Sequence, residues 1–222
     1  MNVAAARAPL KLAIVISGRG SNMLAIARAC QGGKIGAQVA IVIGDGEQAT
    51  GLQAARELGL PTRLIDARGY ADKAQFEAAL TGAIDACGAE LVVLAGFMRI
   101  LSAGFCNHYA GRMLNIHPSL LPAYKGLHTH QRVLRAGERW HGATVHYVTS
   151  ELDGGPLLLQ ARVPVLPGDS DHGLSARVQQ QEHIIFPEVV DWIASERLAW
   201  RDGAPWLDGR RLEAPVLTGA IE

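Results

Sequence analysis

The sequence predicts an α/β protein: an open, mostly parallel twisted sheet with helices on both faces, Rossmann-like, with mixed strands and a small hairpin in its C-terminal half. Three observations predict it. Short runs of branched apolar residues alternate with helical patterns through the first half of the chain, those runs are apolar on both faces, and the connections between them are short.

Residues 12–16 (LAIVI) are the first such run, bounded by glycine. Residues 21–29 have helical composition and stop at the paired glycines of QGGK. Residues 39–43 repeat the buried-strand signal, punctuated by GDGE, and 50–58 read as a helix with Thr50 as N-cap and Gly59-Leu60-Pro61 as its stop. A third strand is expected at 62–65. A longer amphipathic helix follows over 71–87, with Phe76, Leu80 and Ile84 four apart on one face. Residues 91–95 (LVVLA) and 113–116 (MLNI) supply the fourth and fifth strands. The second half changes character: 141–148 and 156–165 read as two strands joined by TSELDGG. Residues 171–187 read as a helix ending at its proline, and 189–197 as another. Two Asp-Gly signals in LAWRDGAPWLDGRRL predict the small terminal hairpin.

The chain of 222 residues is expected to form one domain, without repeats or low-complexity linkers. With 49% hydrophobic and 19% charged residues it can bury a large core. Lys plus Arg and Asp plus Glu both total 21, a balance that argues against a duplex-binding protein. Cys30, Cys87 and Cys106 are far apart, which excludes a disulfide framework and fits a reducing compartment. No signal peptide and no membrane span is read from the sequence, so a soluble cytoplasmic protein is expected.

The turn ISGRGSN, residues 16–22, feeds a helix N-terminus. A dinucleotide fingerprint needs a third small residue, but Met23 stands there, although Asp45 lies beyond the second strand where a ribose-binding acid can sit. What remains suits a phosphate monoester: the N–H groups of Arg19, Gly20, Ser21 and Asn22 converge at the positive end of the helix dipole. A plain strand-to-helix turn capped by Ser21 reads equally well. In MLNIHPSLLP, Asn115 and His117 project from one face of a strand that Pro118 ends, at the carboxyl edge of the sheet. An amide that can stabilise an oxyanion beside an imidazole that manages protons is what acyl transfer to an amine needs. Asn115 and His117 can equally be residues that satisfy loop backbone. Asp153, in TSELDGGP, can approach and orient His117, or serve only the turn. His128 and His130 form an H-x-H that could chelate a metal, yet no carboxylate or cysteine stands at ligand spacing, and no metal is expected. Gln179 and Glu182, three apart on a helix, present a polar face on which Glu182 can accept hydrogen bonds from sugar hydroxyls.

Jointly, ISGRGSNM, LVVLAGFMRIL, GRMLNIHPSLLPAYKGLHTH, HGATVHYVTSELDGGPLLLQARVPV and RVQQQEHIIFP resemble, in order and spacing, the phosphoribosylglycinamide formyltransferase family. The resemblance implies the formyltransferase variant of the fold and transfer of formyl from 10-formyltetrahydrofolate, a co-substrate, to the amine of glycinamide ribonucleotide. It implies a catalytic trio of Asn115, His117 and Asp153. Arg19, Gly20, Ser21 and Asn22 would hold phosphate, and Gln179 and Glu182 would lie at the ribose. Met98, Arg99, Ile100 and Leu101, together with Thr149, Ser150, Glu151 and Leu152, would flank the folate. Residues of about 10–112 would form the ribonucleotide half, about 113–200 the catalytic and folate half, and 201–222 the terminal hairpin and tail. Small molecules would be its partners, with no nucleic acid or membrane, in a monomer or homodimer. A cis Leu121-Pro122 bond is expected on the same ground. Arg19 stands where several relatives carry asparagine, and residues 43–51 lack the Ser-Asn common there, which leaves that loop's role open.

Related readings use a similar site. A methionyl-tRNA formyltransferase carries a further C-terminal RNA-binding domain, and about 25 residues from Trp200 onward are too few for one. A formyltetrahydrofolate hydrolase carries an extra N-terminal domain, whereas the first strand here begins by Leu12. A non-catalytic nucleotide-binding module would keep the phosphate loop and dispense with the trio.

Overall fold

The computed structural model describes residues 8–219. Residues 1–7, which belong to the stretch read for a targeting signal, and 220–222 of the tail lie outside the described residues. No helix among the described residues is long and apolar enough to cross a membrane.

Strands β1 (Leu10–Ile16), β2 (Ala37–Gly44), β3 (Thr62–Leu64), β4 (Leu91–Leu94) and β5 (Met113–His117) are mutually parallel where they pair. They are linked by α1 (Ser21–Gln31), α2 (Gly51–Glu57), a 3-10 turn at Ala67–Gly69, α3 (Lys73–Ala86) and α4 (Ala103–His108). After α5 (Thr129–Ala136), β6 (Trp140–Tyr147) and β7 (Leu157–Pro164) extend the sheet antiparallel. Then come α6 (Asp171–Ala194), β8 (Leu198–Arg201), β9 (Ala204–Leu207), β10 (Arg210–Arg211) and β11 (Val216–Gly219). The main sheet has the order β11-β7-β6-β5-β4-β1-β2-β3.

Burial on both faces explains the near-continuous apolar strands. Along β1, Leu12, Ile14 and Ile16 enter one core with α1 and α6, while Ala13 and Val15 enter a second core with Phe76, Leu80 and Ile84 of α3. The sheet order reverses at β1, whose neighbours are β2 and β4. At such a switch point the loops leaving adjacent strands diverge and open a crevice at their carboxyl ends. The loops after β1, β4 and β5 all emerge on this edge.

Three readings change. The expected break at Pro187 is absent, because α6 runs 24 residues straight through it. Proline forfeits one helical hydrogen bond, but Val178, Ile185 and Phe186 before it and Val189, Val190 and Trp192 after it bury one continuous face, which outweighs the local loss. Ser21 does not cap α1; Gly20, in the left-handed region at φ 71°, is the N-cap, with no side-chain cap. Thr50 is the N-cap of α2 as expected, though its side chain makes no capping hydrogen bond. The terminal hairpin becomes a three-stranded meander, β10-β9-β8, turned at Asp202-Gly203 and Asp208-Gly209, all four with positive φ as two-residue hairpin turns require. The tail beyond it returns to the main sheet, where β11 pairs parallel with β7.

Candidate active site

Asn115 and His117 stand on β5 with side chains opposite Leu114 and Ile116, which are committed to the core. The antiparallel register of β6 places His146 directly across from Asn115. Asn115 Nδ2 is 3.1 Å from His146 Nε2, and His146 Nδ1 is 2.8 Å from the Tyr147 carbonyl oxygen. A carbonyl only accepts, which assigns the His146 proton to Nδ1 and leaves Nε2 to accept from the amide of Asn115. Burial holds the His146 pKa below the ordinary histidine value, which favours this neutral ring. One N–H of the Asn115 amide is thereby used, and its orientation is fixed; the second N–H is available to a ligand.

Asp153 enters from the loop between β6 and β7, in the left-handed region at φ 48°. Its Oδ2 accepts from the Gly126 N–H at 2.9 Å and lies 3.5 Å from His117 Nδ1, while Oδ1 is 3.9 Å from His146 Nε2. His117 Nε2 is 2.9 Å from the Tyr124 carbonyl oxygen, so Nε2 carries a proton. Nδ1 is therefore the nitrogen that can gain or lose a proton, with a carboxylate facing the resulting charge. The three side chains that the resemblance implied, Asn115, His117 and Asp153, lie together beside one cavity, and His146, the Tyr124 carbonyl and the Gly126 N–H, which hold them, were not foreseen. Only strand register and the path of the 118–128 loop reveal them. The Leu121-Pro122 bond in that loop is cis.

The two histidines of the H-x-H separate. His128 takes a left-handed conformation (φ 57°) at the start of α5, whereas His130 Nδ1 meets His141 Nε2 at 2.9 Å. Desolvation lowers the pKa of both, that of His141 to about 4. Among the described residues no group of three or more metal-binding side chains forms.

After β1, at the same carboxyl edge of the sheet, Gly20 opens α1 with no side chain capping its first turn. α6 lies against it: Gln179 Nε2 donates to Ser21 Oγ at 3.1 Å, and Asn22 Nδ2 donates to Glu182 Oε2 at 2.8 Å. Burial raises the Glu182 pKa, opposed by the Asn22 hydrogen bond. Arg19, Gly20, Ser21, Asn22, Gln179 and Glu182 thus form one cluster, with the exposed side chain of Arg19 making no ion pair among the described residues.

Three cavities run along the crevice. One of about 440 Å³ is lined by Met98, Asn115, His117, Leu127 and Asp153 among others. A smaller one of about 90 Å³ lies between Arg99, Ile100 and Leu101 on one side and Thr149, Ser150, Glu151 and Leu152 on the other, with Asn115, His146 and Cys106 also in its wall. Met98 lines the larger cleft and not this one. The third, about 540 Å³, extends past the 98–101 segment to Tyr70, Lys73 and Phe76. Met98, Ile100, Leu127 and Leu152 are each at least half exposed and together give the crevice an apolar rim. Asp45, considered as a ribose acid, is instead paired with Arg99, whose Nε donates to its Oδ2 at 2.7 Å. With Met23 at the third fingerprint position, that pairing counts further against the dinucleotide reading of the glycine turn.

A sheet-edge amide, imidazole and carboxylate beside an apolar cleft, with an anion-suited helix terminus at the same sheet edge, fit a group-transfer enzyme. Residues 10–190 match the family model described as formyl transferase, and the chain belongs to that family. It is 50% identical to the phosphoribosylglycinamide formyltransferase of Escherichia coli strain K12 over 203 residues, which cover 91% of this chain and 96% of that protein. Identity to the enzyme of that name from Haemophilus influenzae is 41%, covering 91% and 95%. Among solved structures, the Coxiella burnetii phosphoribosylglycinamide formyltransferase superposes with a TM-score of 0.90 at 45% identity, covering 94% of this chain and 99% of that one.

Proposed function

We propose that this enzyme transfers the formyl group from N10 of 10-formyltetrahydrofolate to the amine of 5′-phosphoribosylglycinamide. The products are formylglycinamide ribonucleotide and tetrahydrofolate, in de novo purine synthesis. The observation that carries the reading is His117 Nδ1 facing the Asp153 carboxylate at 3.5 Å beside an oriented Asn115 amide.

The amine attacks the formyl carbon, and the carbonyl oxygen becomes an oxyanion. The second N–H of Asn115 donates to that oxygen, a contact that strengthens as charge develops. The amine must lose a proton, and N10 must gain one as its bond to carbon breaks. His117 Nδ1 takes the first proton, the Asp153 carboxylate stabilises the imidazolium, and the same proton returns to N10, directly or through water. Release of Nε2–H from the Tyr124 carbonyl would let His117 also polarise the formyl oxygen.

Residues 19–22 hold the phosphate, a dianion of about −1.5 to −2 charge near neutral pH, through backbone donors at α1 with Arg19 adding attraction. Gln179 and Glu182 face the ribose. Residues 98–101 and 149–152 enclose the folate, whose flat ring suits the small cavity and its apolar rim. Small molecules are the only substrates in this reading, handled by a single catalytic domain in the cytoplasm, monomeric or homodimeric. The balanced charge of the sequence supports acceptors other than tRNA.

The test is an acceptor screen with 10-formyltetrahydrofolate. Glycinamide ribonucleotide should turn over fastest; fastest turnover with methionyl-tRNA or with water, or none with any acceptor, would refute the assignment.

A further inference from the structure

The loop after β2 carries a buried acid whose placement concerns the folate cleft. The Asp45 side chain is 3% exposed, and its Oδ2 accepts from Arg99 Nε at 2.7 Å. Its other oxygen, Oδ1, is buried without a hydrogen-bond partner. Taking a carboxylate out of water is costly, and a buried ion pair seldom repays that cost in stability. The acid is also anchored, because the Asp45 N–H donates to the Ile16 carbonyl and the Asp45 carbonyl accepts from the Ala67 N–H.

Arg99 is held on two sides. Asp45 fixes its Nε edge, and the guanidinium carbon lies 5.6 Å from the Phe76 ring centroid. Its two terminal nitrogens make no hydrogen bond or ion pair among the described residues, and its side chain, 39% exposed, lines all three cavities. A guanidinium pinned through Nε keeps its terminal fork planar and aimed, so a ligand need not immobilise it.

We propose that Asp45 is a positioning residue for the formyl donor: it acts through Arg99, fixing the plane and direction of the guanidinium that the donor meets. This rests on the reading of residues 98–101 as folate-binding. It also gives the 43–51 loop, which departs from the Ser-Asn pattern, a role in the site.

Steady-state kinetics on Asp45→Ala, Asp45→Asn, Arg99→Ala and the Asp45→Ala/Arg99→Ala double variant test it. Asp45→Ala should raise KM for 10-formyltetrahydrofolate about tenfold, with kcat and the ribonucleotide KM within about twofold of the parent. Asp45→Asn, which keeps an acceptor in place, should recover most of the loss. In the Arg99→Ala background, Asp45→Ala should change the donor KM by less than about twofold, because its effect passes through the missing guanidinium. Additive effects in the double variant, parallel shifts in kcat and both KM values, or an unchanged donor KM in Asp45→Ala would each overturn the proposal. Should Asp45→Ala not fold, Arg99→Lys decides: it keeps the cation but lacks the fork, so its donor KM should match that of Arg99→Ala, and parent-like kinetics would overturn the proposal. Failure of the unmodified enzyme to formylate glycinamide ribonucleotide would instead strike the functional reading itself.

Discussion

His117 and its neighbour Asn115 take their partners from three different segments: the Tyr124 carbonyl and the Asp153 carboxylate meet His117, and His146 meets Asn115. Removing the imidazole or neutralising the acid should leave packing intact while disabling the relay. His117→Ala and Asp153→Asn are each expected to lower the rate about 100-fold or more, with an unchanged circular dichroism spectrum; full activity in a folded variant would remove that residue from the mechanism. A second prediction concerns pH. His141, 1% exposed, has its pKa depressed to about 4 by burial and then by His130. Its folded value lies below its unfolded one, so the fold favours the neutral ring. The associated stability is therefore present above about pH 6.5 and is lost as pH falls toward 4, up to about 3 kcal/mol for such a shift. Denaturant melts at pH 7 and pH 4 should show a smaller loss in His141→Phe than in the parent, and equal losses would contradict this. At this scale strand period and turn chemistry offered Asn115, His117 and Asp153 only beside purely structural alternatives, and it was the resemblance of the ordered motifs that implied the trio. His146 escaped because its meaning depends on which residue of β5 it faces, and antiparallel register is not written in either strand alone.

Elements show where local rules suffice and where they fail. α3 follows its pattern, capped by Asp72 with Phe76, Leu80 and Ile84 inward. α6 overrides Pro187 because its apolar face continues on both sides. Pro187→Ala restores the backbone donor to a partly exposed position, and should stabilise the protein by about 1 kcal/mol, a Tm increase of about 2–4 °C; a lower Tm would show that the proline ring supplies packing that outweighs its backbone cost. At the start of α1 the constraint is opposite in kind. Gly20 sits at φ 71°, and a Cβ there would lie 3.1 Å from Met23 Cε and 3.3 Å from Gly51 Cα. Gly20→Val should strain the turn and push it from its ligand, raising the ribonucleotide KM about tenfold or more while sparing the formyl-donor KM. An unchanged ribonucleotide KM would make this an ordinary structural turn. α4 and β11 were not legible: six and four residues are too short for a period to emerge, and β11 is a strand because the outer edge of β7 offers it backbone partners.

Across the whole molecule, the phosphate-suited terminus of α1, the cluster of Asn115, His117 and Asp153 and the apolar cavities lie toward one side, because loops after β1, β4 and β5 share the carboxyl edge of the sheet. Ribonucleotide and an unreactive folate analogue should then each stabilise the native state, by about 2.7 kcal/mol at a free concentration 100 times Kd. Both together should raise Tm further than either alone, and competition between them in thermal melts would argue against separate subsites. The sequence by itself determined the alternation of strand and helix and the two-sided burial of the parallel strands, since periodicity, glycine and proline act over a few residues, while the reactive side chains were implied by the resemblance of five ordered motifs. Only the tertiary structure decided that Asp45 pairs with Arg99, that His146 meets Asn115, that the 118–128 loop lends a carbonyl to His117, and that residues 216–219 add an edge strand to the sheet. Those outcomes depend on which segments meet in space, and such meetings are set by packing the whole chain around one sheet.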